Sequence, residues 1–208
     1  MNSAKKQNIL LLILIIFYTV GLIGLHTSSR MSFLALTPFN LLLSFGCLYL
    51  SFKDYSGKKH IDLVLVAAVG YAIEWIGVHT SLLFGHYHYG SVLGTKLDEI
   101  PLIIGLNWVL LTFTSTAVVY KWKIPLFLKA LLAGALMTVL DWIIEPVAIR
   151  SGFWSWQNNT VPLYNYICWM IFSTGFCYWV LKRKTVESNK VSVGLFVILV
   201  IFFAILNR

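Results

Sequence analysis

Long apolar runs separated by short polar segments make up most of the chain. About seven of these runs are long enough, or nearly so, to cross a hydrocarbon core as a helix, which takes about 20 residues. They cover residues 9–25, 33–52, 62–84, 101–120, 126–149, 163–181 and 191–206. The pattern predicts an all-α polytopic membrane bundle of about seven transmembrane helices, forming a single integral membrane domain over residues 1–208.

Composition agrees with a membrane protein. Hydrophobic residues make up 59% of the 208 residues and charged residues only 12%, which is far more apolar surface than one soluble core of this size needs. The net charge of +8 is explained by Lys and Arg in cytoplasmic loops, so we expect no nucleic-acid partner. Cys47, Cys168 and Cys177 all lie in apolar runs and are interpreted as small buried hydrophobes.

The distribution of basic residues predicts how the bundle is oriented. With a cytoplasmic N-terminus and seven spans, 12 of the 16 Lys and Arg residues face the cytoplasm. Only Arg30, Lys96, Arg150 and Arg208 fall on the outer side. The positive-inside rule therefore favours a cytoplasmic N-terminus and an external C-terminus. We expect an integral protein of a bacterial or archaeal cytoplasmic membrane.

Two stretches, 74–89 and 141–156, have the same pattern, in which carboxylates in an apolar run are followed by a segment rich in aromatic residues where the run ends. Acids are costly in hydrocarbon and usually mark function. Both runs travel outward in the predicted topology, which places Glu74, Asp141 and Glu145 in the outer half of the membrane. Asp141 and Glu145, four residues apart, share one helix face. Asp62, by contrast, is interpreted as an ordinary interfacial charge.

Polar and aromatic residues near these acids complete a candidate site. The catalytic candidates are Glu74, Asp141, Glu145, His79 and Asn107. Asn107 is included because an amide in an apolar run needs a partner such as an acid on a neighbouring helix. The candidates for substrate contact are Trp75, Tyr87, Tyr89, Trp108, Trp142, Trp154, Trp156, Tyr166 and Trp169. A protonated acid can donate to an alkene, and ring faces can stabilise the resulting carbocation. The pattern favours acid chemistry on a lipid-soluble polyene.

The residues leave other interpretations open. The three acids could simply hold helices together through hydrogen bonds, and the tyrosines could belong to an interfacial aromatic belt. His79, His86 and His88 are weak candidates for a metal site with a carboxylate; no metal is assigned.

The chain resembles the membrane carotenoid-biosynthesis family that includes the carotenoid 1′,2′-hydratases and bisanhydrobacterioruberin hydratase. The matching motifs lie between about residues 60 and 180. They are EWIGVHT and FGHYHY within 74–89, PLIIGLNW at 101–108, DWIIEPVA and GFWSW within 141–156, and VPLYNYICW at 161–169.

The resemblance implies addition of water to the terminal C1′=C2′ bond of an acyclic carotenoid end, lycopene- or γ-carotene-like, without a cofactor. Asp141 or Glu74 would protonate C2′, and Trp75, Trp142, Tyr87 or Tyr89 would stabilise the cation. Glu145, Asn107 or His79 would orient the attacking water. The expected partners are the carotenoid, water and membrane lipid, and the oligomeric state is left open.

The same residues are also compatible with other functions. A carotenoid end-group cyclase of the small membrane type also begins by protonating an end group. An intramembrane metal-dependent hydrolase would use the histidines. Outside enzymes, a lipophilic-ligand receptor or a proton-coupled transporter could contain buried acids.

Overall fold

A computed structural model describes residues 2–208. The described chain forms eight α-helices, one 3-10 turn (Gln157–Asn159) and four short strands. The helices are α1 (Ser3–Leu25), α2 (Arg30–Ala35), α3 (Thr37–Leu50), α4 (Gly57–Thr80), α5 (Ile103–Val119), α6 (Leu126–Arg150), α7 (Leu163–Arg183) and α8 (Lys190–Leu206). The strands are β1 (Tyr87–Tyr89), β2 (Lys96–Leu97), β3 (Ile100–Pro101) and β4 (Trp154–Trp156).

Each predicted apolar run contains a helix, but the run at 33–52 is not one helix, so that prediction was wrong. It divides at Leu36 into α2 and α3, and Pro38 occupies the first turn of α3. Proline fits a first turn because its missing N–H has no helical partner there. The run at 62–84 also ends early, at Thr80, because Ser81 and Phe84 have φ angles of 56° and 65°.

The helical bundle is consistent with a membrane protein. By length and composition, α1, α4 and α6 could each cross a membrane, and α3, α5 and α8 are shorter apolar helices. The seven-span topology and its orientation stay predictions.

The helices enclose a core centred on Trp108 of α5, whose exposed fraction is 0%. Its indole stacks on that of Trp169 of α7, with ring centroids 4.4 Å apart and planes 9° from parallel. On the other side it lies against α4, where a Cβ added to Gly70 would be 2.5 Å from Trp108 Cγ. Glycine at this position therefore lets the indole reach the turn of α4 that carries Glu74.

A two-stranded antiparallel sheet covers one end of the bundle. In β1 and β4, Tyr87 pairs with Trp156 and Tyr89 with Trp154, while His88 pairs with Ser155. Tyr87, Tyr89 and Trp156 are buried and His88 is exposed, as expected from the alternation of side chains along a strand. The sheet thus directs four aromatic side chains toward the helices.

The sheet continues into a close approach of two loops. The amide of Gly90 donates to the carbonyl of Phe153, and a Cβ on Gly90 would lie 2.0 Å from the carbonyl oxygen of Gly152. Only a residue without a side chain fits here.

Two ion pairs, each with one buried member, join segments at the opposite end of the bundle. Asp62 is 0% exposed, so the prediction of an ordinary interfacial charge was wrong. Its carboxylate accepts hydrogen bonds from Arg183 Nε at 2.6 Å, Trp179 Nε1 at 3.1 Å and Thr185 Oγ1 at 2.7 Å. Burial of a carboxylate is tolerated when it is paired and hydrogen-bonded in this way.

A second pair at this end predicts an acid-sensitive contribution to stability. Glu187 lies in the loop between α7 and α8 and binds the ammonium of Lys59 and the amides of Lys53 and Asp54. Partial burial raises the pKa of Glu187, but these donors outweigh burial and bring its pKa below the ordinary value of 4.5. A carboxylate with a lowered folded-state pKa stabilises the fold fully above its ordinary pKa and loses that contribution as the pH falls further.

We therefore expect the thermal midpoint of the detergent-solubilised protein to fall as the pH is lowered below about 4.5. Glu187→Gln should be less stable at neutral pH and show a flatter acid limb. Glu99→Gln, which changes an exposed glutamate, is the matched control and should follow the unaltered protein. Parallel acid limbs for Glu187→Gln and the unaltered protein would refute this assignment.

Candidate functional site

One cavity of about 290 Å³ lies within the bundle, beneath the sheet of β1 and β4. Its walls are mostly apolar, and no Lys, Arg or His of residues 2–208 lines it. The three buried carboxylates Glu74, Asp141 and Glu145 all line it. The structure thus brings the stretches 74–89 and 141–156 together around one space.

Glu74 is held by three donors from two directions. Its Oε2 accepts hydrogen bonds from Tyr87 Oη at 2.5 Å and Tyr89 Oη at 2.8 Å. Its Oε1 accepts one from Trp108 Nε1 at 3.0 Å. Because an indole N–H can only donate, Oε1 must be an acceptor in this arrangement.

Asp141 and Glu145 lie one turn apart on α6 and share an amide donor. Asn165 Nδ2 of α7 is 3.2 Å from Asp141 Oδ2 and 3.4 Å from Glu145 Oε1. Glu145 Oε2 also accepts from Trp154 Nε1 at 2.9 Å and Trp156 Nε1 at 3.0 Å. The helix continues through Pro146 to Arg150.

The two acids of α6 differ in how completely they are hydrogen-bonded. Both oxygens of Glu145 have donors, whereas Asp141 Oδ1 accepts no hydrogen bond from any described residue. Asp141 is therefore the acid with an oxygen left for a proton and for a ligand in the cavity.

Several candidates from the sequence line the cavity. Besides the three acids they are Asn107, Tyr87, Tyr89, Trp154, Trp156 and Trp169. Trp108 does not line it but supports Glu74 from behind.

Other candidates lie outside the cavity, so the structure does not support their predicted contact with a substrate there. Trp75 and Trp142 are 40% and 62% exposed. Each directly follows an acid, and adjacent helical residues point about 100° apart. Their indoles consequently face outward when the acids face inward. Tyr166 is partly buried and likewise does not line the cavity.

His79 belongs to the same outward face as Trp75. The two rings stack with centroids 4.6 Å apart. His79 Nε2 lies 3.5 Å from Asp98 Oδ1, and Trp75 Nε1 donates to Asp98 Oδ2 at 2.5 Å. These contacts attach the β2–β3 turn to α4 and remove His79 from the candidates for orienting water in the cavity.

The remaining histidines do not form a metal site with His79. His86 Nδ1 contacts Ser81 Oγ at 2.6 Å, and His88 Nε2 contacts Ser155 Oγ at 2.8 Å. Residues 2–208 contain no group of three or more His, Cys, Asp or Glu side chains placed to hold a metal ion.

The amide that contacts the acids is Asn165, not Asn107 as predicted. Asn107 makes no side-chain hydrogen bond within the described chain, so its amide remains available in the cavity. Asn165 carries one signal in the sequence, since it is an amide in the first turn of an apolar helix, one turn before Trp169. That signal gives no partner, because the partner is on α6.

The cavity is lined by residues outside the range 60–180 that was predicted to carry the site. Lining residues also come from α1, α3 and α8, among them Tyr18, Asn40 and Phe202. These helices add one further wall to the space around the acids.

Comparison with known proteins gives one match. The family model described as carotenoid biosynthesis protein matches residues 36–208, which is most of the chain and includes every acid of the cavity. No match was found among curated proteins or among solved structures.

Proposed function

Because the chain belongs to the carotenoid biosynthesis protein family, we propose that it is a carotenoid-modifying membrane enzyme that adds water to the terminal C1′=C2′ bond of an acyclic carotenoid end. The family membership itself supports a role in carotenoid modification and a lipophilic substrate. The observation that carries the hydration proposal is the cavity, in which an acid with a free oxygen faces aromatic rings and no cationic side chain.

Asp141 is the proposed proton donor. Its Oδ1 has no donor among the described residues, so a proton on that oxygen displaces no existing hydrogen bond. Transfer of this proton to C2′ uses the electron pair of the double bond and leaves a tertiary cation at C1′. A positioned acid of this kind contributes about 10²- to 10⁴-fold to a rate.

The aromatic walls would stabilise the cation. Tyr87 and Trp156 line the cavity with ring centroids 5.1 Å apart, and Tyr89 and Trp154 are 6.2 Å apart. A cation over such faces gains about 2 kcal/mol or more when water is excluded. Glu74 also lines the cavity and is held in place by its three donors.

Water then completes the reaction. Its oxygen bonds to C1′, one of its protons is released, and the carboxylate of Asp141 is reprotonated. Asn107 and Glu145 line the cavity and would orient this water. The sum is alkene plus water giving a tertiary alcohol, with no electron transfer and no cofactor.

The same proposal includes the membrane arrangement. The chain would form a single membrane domain over residues 1–208, with seven crossing helices, a cytoplasmic N-terminus and the acids in the outer half of the membrane. Six of the seven predicted runs each contain one long helix, and the remaining run, at 33–52, is divided between α2 and α3, which supports this arrangement. The Lys and Arg distribution supports the orientation.

Expression in a bacterium that produces lycopene or γ-carotene tests the function. We expect a new pigment heavier than the substrate by one water, absent from cells carrying the empty vector. A new pigment of unchanged mass and altered absorption spectrum would indicate cyclisation instead. No new pigment with either substrate would contradict the hydratase proposal.

A further inference from the structure

The cavity has a second polar group, on the wall formed by α1 and α3. Tyr18 Oη and Ser44 Oγ lie 3.1 Å apart, and both residues are buried. Asn40 lies one turn before Ser44 on α3, and Asn40 and Tyr18 line the cavity. Nothing in the carboxylate site described above uses these three residues.

Asn40 has a buried acceptor without a partner. Five buried side-chain oxygens in the described chain lack a hydrogen-bond partner, and four of them are hydroxyls of α5 and α7 outside the cavity, namely Thr112, Thr116, Ser173 and Thr174. Helical Ser and Thr hydroxyls can turn to a carbonyl of the preceding turn. The fifth is Asn40 Oδ1, which belongs to a residue of the cavity wall whose side chain lies next to the hydroxyl of Tyr18.

We propose that Asn40, supported by Tyr18 and Ser44, forms a subsite that binds the hydroxyl of an alcohol end group on a polyene. An amide oxygen left unpaired in an apolar surrounding costs about 1–3 kcal/mol, and rotation about the Cβ–Cγ bond of Asn40 is the motion that would present this buried oxygen to a ligand in the cavity. A hydroxyl there donates to Asn40 Oδ1. The proposal rests on the proposed function, which supplies the ligand: the tertiary alcohol that hydration produces.

The charges around the cavity favour a neutral hydroxyl over other polar ligands. Glu74, Asp141 and Glu145 are the only ionisable acids or bases of Asp, Glu, Lys, Arg or His type that line it in residues 2–208. A phosphate or carboxylate would meet these acids without any cation to offset them. A hydrocarbon end group would leave Asn40 Oδ1 unpaired.

The position of the subsite separates recognition from chemistry. Tyr18 is on α1 and Asn40 is on α3, whereas Asp141 and Glu145 are on α6 and Asn165 is on α7. Helices α1 and α3 pack against α8, and α6 packs most extensively against α7. Because only the alcohol can donate a hydrogen bond to Asn40, loss of this side chain should change affinity for the alcohol more than affinity for the hydrocarbon.

The test compares two ligands on the purified full chain in detergent. The probes are an acyclic polyene hydrocarbon and the same polyene with a tertiary alcohol at one end, and binding is measured by quenching of tryptophan fluorescence. We expect the unaltered protein to bind the alcohol about tenfold more tightly, the value of one hydrogen bond of about 1.4 kcal/mol. Asn40→Leu should bind both equally, and Tyr18→Phe should reduce the preference partially.

Leu97→Asn, which places an amide at an exposed position of β2 outside the cavity, is the control and should keep the tenfold preference. Equal affinity of the unaltered protein for both probes would overturn the subsite and leave the proposed function intact. An unchanged preference in folded Asn40→Leu would also overturn it. If neither probe binds, the proposed function fails and the subsite with it. If Asn40→Leu does not fold, the preference of the unaltered protein and its reduction in Tyr18→Phe decide the matter.

Discussion

Asp141→Asn is expected to lower the rate of water addition by about 10²- to 10⁴-fold, the contribution of a positioned general acid. The replacement has nearly the same shape and keeps an oxygen that can accept from Asn165, so the protein should still fold. Its amide has no transferable proton of the required acidity. The rate is measured as alcohol formed per unit of purified protein from an acyclic polyene in detergent micelles.

The matched control is Asp98→Asn, the same chemical change at an aspartate outside the cavity that contacts Trp75 and His79. Its rate should equal that of the unaltered protein. Glu74→Gln should also be slower, because a side-chain amide cannot accept all three donors in the same way. Full activity in both folded Asp141→Asn and folded Glu74→Gln would refute the acid assignment.

Arg183→Met is expected to lower the free energy of unfolding by about 3–5 kcal/mol, because it leaves the buried carboxylate of Asp62 without its cation. Arg183 Nε lies 2.6 Å from Asp62 Oδ1, and the carboxylate is fully buried. Methionine retains much of the length of the arginine stem, so the charge is the main loss. The change is measured by reversible denaturation in mixed micelles, or as a fall in the thermal midpoint.

Two further variants isolate the pair. Lys182→Met removes the neighbouring exposed cation and should have little effect. The double variant Asp62→Asn with Arg183→Met removes both charges and should recover much of the stability, since a neutral pair leaves no unpaired buried ion. Equal stability of Arg183→Met and Lys182→Met would contradict the role given to this ion pair.

The helices could be predicted from the sequence because apolar runs and breakers are local. All the predicted runs contain helices, and only the division at Leu36 was missed, although Pro38 lies just after it. The ends of runs were less predictable. Residues 81–84 are apolar enough to extend a helix, but Ser81 takes a left-handed conformation that returns the chain toward Glu74.

The acids of the site could be predicted from the sequence. Whether a residue next to an acid points into the cavity could not be predicted from its position in the sequence. Trp75 and Trp142 each adjoin an acid and point away from it. Tyr87 is 13 residues from Glu74 and Trp156 is 11 residues from Glu145, and the two rings lie side by side over the acids because β1 pairs with β4. A strand of three residues is too short for its alternation to identify a partner.

The partners of the carboxylates depend on contacts between helices. Asn165 is 20 residues from Glu145 and 24 residues from Asp141 in the sequence. Nothing in either segment specifies that these side chains meet. The ion pair of Asp62 with Arg183 also depends on a contact between helices, because the two residues are 121 positions apart in the sequence. Such contacts follow from how the helices pack, which single-sequence patterns do not determine.

Hydration by purified protein in water labelled with heavy oxygen tests directly whether the cavity adds water to the polyene. Product alcohol is extracted and analysed by mass spectrometry. If the cavity adds water to the polyene, each new hydroxyl carries the label, the label is absent from product made in ordinary water, and its appearance is at least about 100-fold slower with Asp141→Asn. A product without the label would show that the hydroxyl does not come from water, and label incorporated equally fast by Asp141→Asn would show that Asp141 is not the proton donor.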